Sequence, residues 1–148
     1  MSTRCRIGLE KADKTIKSIY CHFDGYPEGV GKTLKEHYNN PADIEKLLEL
    51  GDISSLGTFY DEALAKEAWE KQYDKEWHES EKGRKASEMT IPYKDRGEDC
   101  PARTDESQEE YISKAGKCWE DYTYLYKEDY NGIYSWHVME TPYFKELE

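Results

Sequence analysis

Apolar and polar positions alternate from Arg4 to Leu9, with Cys5, Ile7 and Leu9 on one side and Arg4, Arg6 and Gly8 on the other. That is the period of a half-buried strand. Ile16 to Phe23 repeats it, with Ile19, Cys21 and Phe23 set against Ser18, Tyr20 and His22, and Lys11 to Lys14 reads as the turn between them. The two segments pair as a hairpin. Asp24-Gly25-Tyr26-Pro27 ends the second strand, because Gly tolerates positive φ and Pro holds its predecessor extended. Near the other end, Tyr122 to Tyr130 and Ile133 to Glu140 flank Asn131-Gly132, a strong hairpin signal. With those two residues as the turn, Leu125 faces Val138 and Tyr126 faces His137.

The period becomes helical between the hairpins. Leu34 and Tyr38 stand at i,i+4, which predicts a short helix over Val30 to Tyr38. A second helix begins at Asn40, a capping residue followed by Pro41 and Asp43. It stops at Gly51 and carries Ile44, Leu47 and Leu48 as its buried stripe. Asp52 to Gly57 reads as a connector whose Ile53 and Leu56 fold back onto the core. Tyr60 to about Lys82 is the longest helical stretch, rich in Ala, with Glu62/Lys66 and Glu67/Lys71 at stabilising spacing. Trp69, Tyr73 and Trp77 recur along it at i,i+4; such a stripe either packs on the sheet or another helix, or anchors a partner.

Beyond Gly83 the segment to Glu88 reads as a loop. Met89 to Lys94 reads as a short strand that Pro92 confines to an edge. Asp95 to Arg103 is an irregular charged loop, and Asp105 or Ser107 caps a helix reaching about Lys117, with Tyr111, Ile112 and Ala115 as its apolar face. The sum is an α+β fold: a mainly antiparallel sheet built from hairpins at about 4–23 and 122–140, with three or four helices packed on it. We expect one domain over 1–148. Its parts are a hairpin with helices (1–57), a long acidic aromatic helix (58–88), and a loop, helix and hairpin (89–148).

Composition shifts the picture in one respect. Apolar residues are 36% of the 148, but thirteen Tyr, four Trp and three Phe give an aromatic share of 14%, so the core is expected to be aromatic-rich and the chain folded. The four cysteines, Cys5, Cys21, Cys100 and Cys118, are scattered without metal-ligand spacing and are expected as free thiols. The chain has neither a hydrophobic signal region nor a spanning segment, so a cytoplasmic protein is expected.

Charge is uneven. The net is −11, yet residues 1–57 hold nine acids against eight bases, which leaves −10 for residues 58–148. Such a field repels phosphates and attracts basic surfaces, and no basic cluster longer than Arg84-Lys85 favours direct nucleic-acid binding.

Three constellations could carry chemistry. Gly31-Lys32-Thr33 sits between a strand and a helix, as in a phosphate-binding loop, but Tyr26 stands where that motif needs its first glycine. Only weak anion contact by the Gly29 to Lys32 backbone remains open. His22 and Asp24 form a His-x-Asp pair able to act as acid and base or as two metal ligands, but the third ligand is missing. The competing reading makes Asp24 a turn cap and Cys21 a buried small hydrophobe. Asp95, Glu98 and Asp99 form an acidic turn without calcium-loop spacing, and it reads first as a solvated loop. No cofactor and no metal are expected.

Arg4-Cys-Arg-Ile-Gly8, Ile19-Tyr-Cys-His-Phe-Asp-Gly-Tyr-Pro-Glu-Gly-Val-Gly31, Leu34 to Tyr38 and Leu50-Gly-Asp-Ile-Ser-Ser-Leu-Gly57 together resemble a family of small proteins of tailed phages and prophages. Tyr93-Lys-Asp-Arg-Gly-Glu98 and the Tyr-rich final hairpin resemble its later part. The family usually has Trp at the position of Phe23, and the segment from Trp69 to Trp77 has no counterpart in it. The resemblance implies expression in the cytoplasm of an infected bacterium and an accessory role. The expectation is an anti-CRISPR or antirestriction inhibitor that binds a host defence nuclease or CRISPR effector through an acidic, nucleic-acid-mimicking surface. Its contact residues would be Glu67, Trp69, Glu70, Tyr73, Asp74, Trp77, Asp95, Glu98 and Asp99. The alternatives are a small hydrolase or nucleotide-modifying enzyme using His22 and Asp24, and a structural or host-takeover protein.

Overall fold

In a computed structural model, residues 2–139 and 144–147 are described. The first hairpin forms as its alternation predicts, β1 (Cys5–Glu10) against β2 (Ile16–Cys21), with Ile7 opposite Ile19 and Cys5 opposite Cys21. Asp24 then takes the left-handed backbone conformation (φ 57°) that the sequence assigned to Gly25. Gly25 is needed for another reason: a Cβ there would lie 2.8 Å from Cys5 Cβ and 2.9 Å from the Thr3 carbonyl oxygen. A π-helical turn over Pro27–Gly31 leads into α1 (Lys32–His37), and α2 (Pro41–Leu48) follows. The Asn40 side chain accepts from the Asp43 amide at 2.9 Å, and Gly51 (φ 76°) closes the far end, so the predicted start and stop are both real.

The connector after α2 is itself a strand, β3 (Ile53–Ser55), running parallel to the end of β2. β4 (Ile91–Pro92) pairs with β3 and forms one edge of the sheet, where Pro92 was expected. A 3-10 turn over Tyr93–Arg96 and the loop after it lead to β5 (Arg103–Asp105), which pairs with the start of β2. Helix α6 (Gln108–Ser113) is capped by Ser107, not Asp105. β6 (Tyr122–Glu128), β7 (Tyr134–Met139) and β8 (Lys145–Glu146) complete the order β4-β3-β2-β1-β6-β7-β8. The fold is α+β, as expected, but the sheet is mixed. β6 joins β1 in parallel at its centre while most pairings are antiparallel, as expected, and the described residues form eight strands and six α-helices, more helices than the three or four expected.

The second hairpin differs from its expected register by one residue. Leu125 faces His137 and Tyr126 faces Trp136, because the loop has three residues, Tyr130 to Gly132. The Asp129 carboxylate accepts from the amides of Asn131 (2.8 Å) and Ile133 (3.1 Å), and Gly132 alone has positive φ (77°). That is a type I turn with a left-handed third residue rather than a two-residue turn. Glu140, the last position of the expected strand, lies outside the described residues.

Two layers follow from strand alternation. One face presents Ile7, Leu9, Ile19, Tyr124, Tyr126, Trp136 and Val138 to Leu34 of α1 and to Ile44, Leu47 and Leu48 of α2. Its aromatics also hold the chain by their polar tips. Trp136 Nε1 donates to the Tyr38 carbonyl (2.8 Å), the Tyr126 hydroxyl to that of Asn39 (2.9 Å), and the Tyr124 hydroxyl to that of Gly25 (2.7 Å), so burying these rings leaves no orphan donor. The other face has a smaller apolar group, in which Tyr111 of α6 packs with Ile16 and Leu125 of the sheet. No helix among the described residues is long and apolar enough to cross a membrane.

Candidate protein-interaction surface

Residues 58–89 leave the sheet and return to it as an arm. Its base is latched: Thr58 N donates to the Glu88 carbonyl (2.8 Å), Thr90 N to that of Phe59 (2.9 Å), and Gly57 N to Thr90 Oγ1 (2.9 Å). Gly57 permits this approach, since a Cβ would come within 2.2 Å of the Glu88 carbonyl oxygen.

The expected long helix over this stretch is three short ones, α3 (Glu62–Glu70), α4 (Lys75–Glu79) and α5 (Glu81–Ala86). Each has its own cap: Asp61 accepts from Leu64 N, Asp74 from Trp77 N, and Ser80 from Gly83 N. Asp and Ser prefer such positions to helix interiors, and Asp74 and Ser80 break the expected helix, Asp74 between Tyr73 and Trp77. The capping pattern was readable in the sequence. Gly83, expected to end the helix, lies inside α5, where it is buried and a Cβ would strike the Trp77 carbonyl.

The breaks separate the three aromatics. Trp69 is 59% exposed and Tyr73 94%. Trp77 is half-buried within the arm, edge-on to His78, with its indole nitrogen beside the Glu67 carboxylate but outside good hydrogen-bond geometry. No residue of α3 or α4 is buried. The stripe therefore does not pack on the sheet. Between α3 and the edge strand lies an open groove of about 460 Å³, with Ala65, Ala68, Trp69, Met89 and Ile91 as its apolar lining and Asp95 at its rim.

Of the nine expected contact residues, Trp69 and Asp95 share this groove. Asp95 is held by the Tyr60 hydroxyl, which donates to both carboxylate oxygens at 2.9 Å. Burial, followed by that bond to Asp95, pushes the Tyr60 phenol well above its usual range. Glu67 pairs with Lys82 at 2.8 Å, which keeps its carboxyl below the ordinary value. Asp74 is committed as the cap of α4. Glu70, Glu98 and Asp99 are exposed, the latter two on the loop beyond the 3-10 turn. Residues 61–99 hold twelve acids against eight bases. Along this stretch the acids are interleaved with lysines and arginines.

The other candidate pair does not form a dyad. His22 Nδ1 meets the Tyr20 hydroxyl (2.9 Å) and Nε2 the Ser2 hydroxyl (3.3 Å), and its ring lies edge-on to Phe23. Asp24, past the end of the strand, meets the Tyr26 hydroxyl (3.4 Å) and borders a cavity of about 340 Å³ that His22 does not line. Among the described residues no three His, Cys, Asp or Glu side chains are grouped to hold a metal. The glycine turn offers no anion nest either. Gly29 and Gly31 amides donate to the Tyr26 carbonyl and Val30 to that of Asp24. The described cysteines are free, and Cys21 is the buried small side chain expected.

Compared with known protein families, curated proteins and solved structures, the chain matches none.

Proposed function

We propose that this chain is a phage-encoded inhibitor that binds a bacterial defence nuclease or CRISPR effector, with the 58–89 arm as its contact surface. The observation that carries the reading is the arm's exposed aromatic face. Trp69, on a helix that buries no residue of its own, is exposed and lines an apolar groove, and Tyr73 stands in solvent on the turn that follows. Large aromatics are the commonest interface anchors, and exposing them without a partner is unfavourable. The overall charge of −11 supports a partner with a basic surface, through attraction at encounter rather than through matched ion pairs. The phage resemblance of the first 57 residues supports the cellular setting.

The test is capture of partners from a bacterial lysate on the tagged protein, beside the Trp69→Ala/Tyr73→Ala double variant. A defence nuclease retained by the parent and lost by the variant is the expected result. Equal capture by both removes the arm from the contact. His22→Ala/Asp24→Ala should inhibit as the parent does.

A further inference from the structure

At the sheet edge far from the arm, another cavity of about 830 Å³ opens over the face that carries α6. Its charged lining is Glu10, Glu109, Glu128, Asp129 and Glu146 against Lys14 and Lys127. Strand register explains the gathering. His137 lies opposite both Leu125 of β6 and Glu146 of β8, so their side chains share this face.

One end of the cavity already holds a cation. The Lys14 ammonium sits 2.9 Å from Glu128 Oε1 and 3.8 Å from Glu10 Oε1. Its hydrogen bond to Glu128, then the charges of Glu128 and Glu10, raise its pKa above the usual lysine value. The other end brings a second acceptor set, His137 beside Glu146. His137 is only 7% exposed, and its Nδ1 donates to the Ser135 carbonyl at 3.1 Å, because a carbonyl can only accept. Nε2 is left as a lone-pair acceptor that meets no partner among the described residues. Burial, then the Lys127 charge, lowers the His137 pKa against the opposing pull of Glu146 and Asp129. The balance favours the neutral ring, in which Nε2 is an acceptor.

We infer that this cavity binds a small linear polyamine, one ammonium donating to His137 Nε2 beside Glu146 while the rest of the chain lies along the acids towards Glu128. The acid cluster alone would be only a solvated surface. The nearly buried His137 ring lining the cavity, with the Lys14 ammonium already bound by carboxylates at the other end, distinguishes it. Lys127 is the opposing charge and sets the limit on affinity.

Spermidine is the probe, titrated into the whole protein with the His137 ring resonances followed by NMR at constant ionic strength. A saturable shift is expected, weakened about fivefold by Glu146→Gln, the scale of one exposed ion pair, and strengthened by Lys127→Met. Both changes lie at exposed or half-buried side chains and leave the fold intact. A shift reproduced by matched sodium chloride, no saturation, or equal affinity in Glu146→Gln overturns the assignment.

Discussion

Helices α2 and α3 begin with the same kind of cap and carry comparable apolar content, yet they meet opposite fates. In α2, Ile44, Leu47 and Leu48 are buried against the sheet; in α3, nothing is buried. Local signals therefore specify where a helix starts, while burial depends on which strand surface lies within reach. The sheet's apolar face is occupied by α1 and α2 before the chain reaches residue 58. The arm leaves at the other edge, latched at its base, and its helices pack chiefly on one another.

The widest separation between the two regions should come from removing core volume. Ile44→Ala should lower the free energy of unfolding by about 2–5 kcal/mol, since a fully buried Ile loses its transfer term and leaves a cavity. Urea unfolding measures it. A loss under about 1 kcal/mol would mean that α2 is as loosely held as α3, and the comparison would fail.

The latch joins the regions and should give the next effect. In Gly57→Ala the new Cβ meets backbone of Glu88, Met89 and Thr90, which cannot rotate away as a side chain would. Forcing the two strands apart should cost about 1–3 kcal/mol. Hydrogen exchange should then quicken at the Thr58 and Thr90 amides while those of β1 and β2 stay protected. Uniform quickening would show that the arm is part of the cooperative core.

The same contrast explains what was legible in the sequence. The first hairpin, the Asn40-Pro41 start and Gly51 stop of α2, and the Pro92 edge are fixed by short-range rules, and each was readable. The sheet's parallel centre was not, because β1 and β6 lie more than a hundred residues apart and nothing local records their pairing. The register of the last hairpin failed on one side chain: Asp129, by accepting two turn amides, selects a three-residue loop. In the arm, alanine content and aromatic spacing suggested a continuous helix, while Asp74 and Ser80 carried the decisive signal. Trp69 was readable as a site candidate; the groove beside it was not, since Ile91 and Met89 arrive there by the return of the chain.

Those caps can be tested directly. Asp74→Ala removes the acceptor for Trp77 N and should destabilise α4 by about 1 kcal/mol. Because α4 is packed mainly on α5, the loss should appear as faster exchange at Trp77 and His78, with little change in the global urea midpoint. A midpoint shift as large as that of Ile44→Ala would place α4 within the core.

The smallest stability change should come from the arm's exposed ring pair. Trp69 and Tyr73 already meet water in the free protein, so Trp69→Ala/Tyr73→Ala removes little buried area and should shift unfolding by no more than about 0.5 kcal/mol. Two aromatic truncations in the core would cost several times more. A near-silent result in unfolding, combined with loss of partner capture, separates a contact surface from a packing one. If the same double change destabilises the protein by several kcal/mol, the rings serve the arm's own packing.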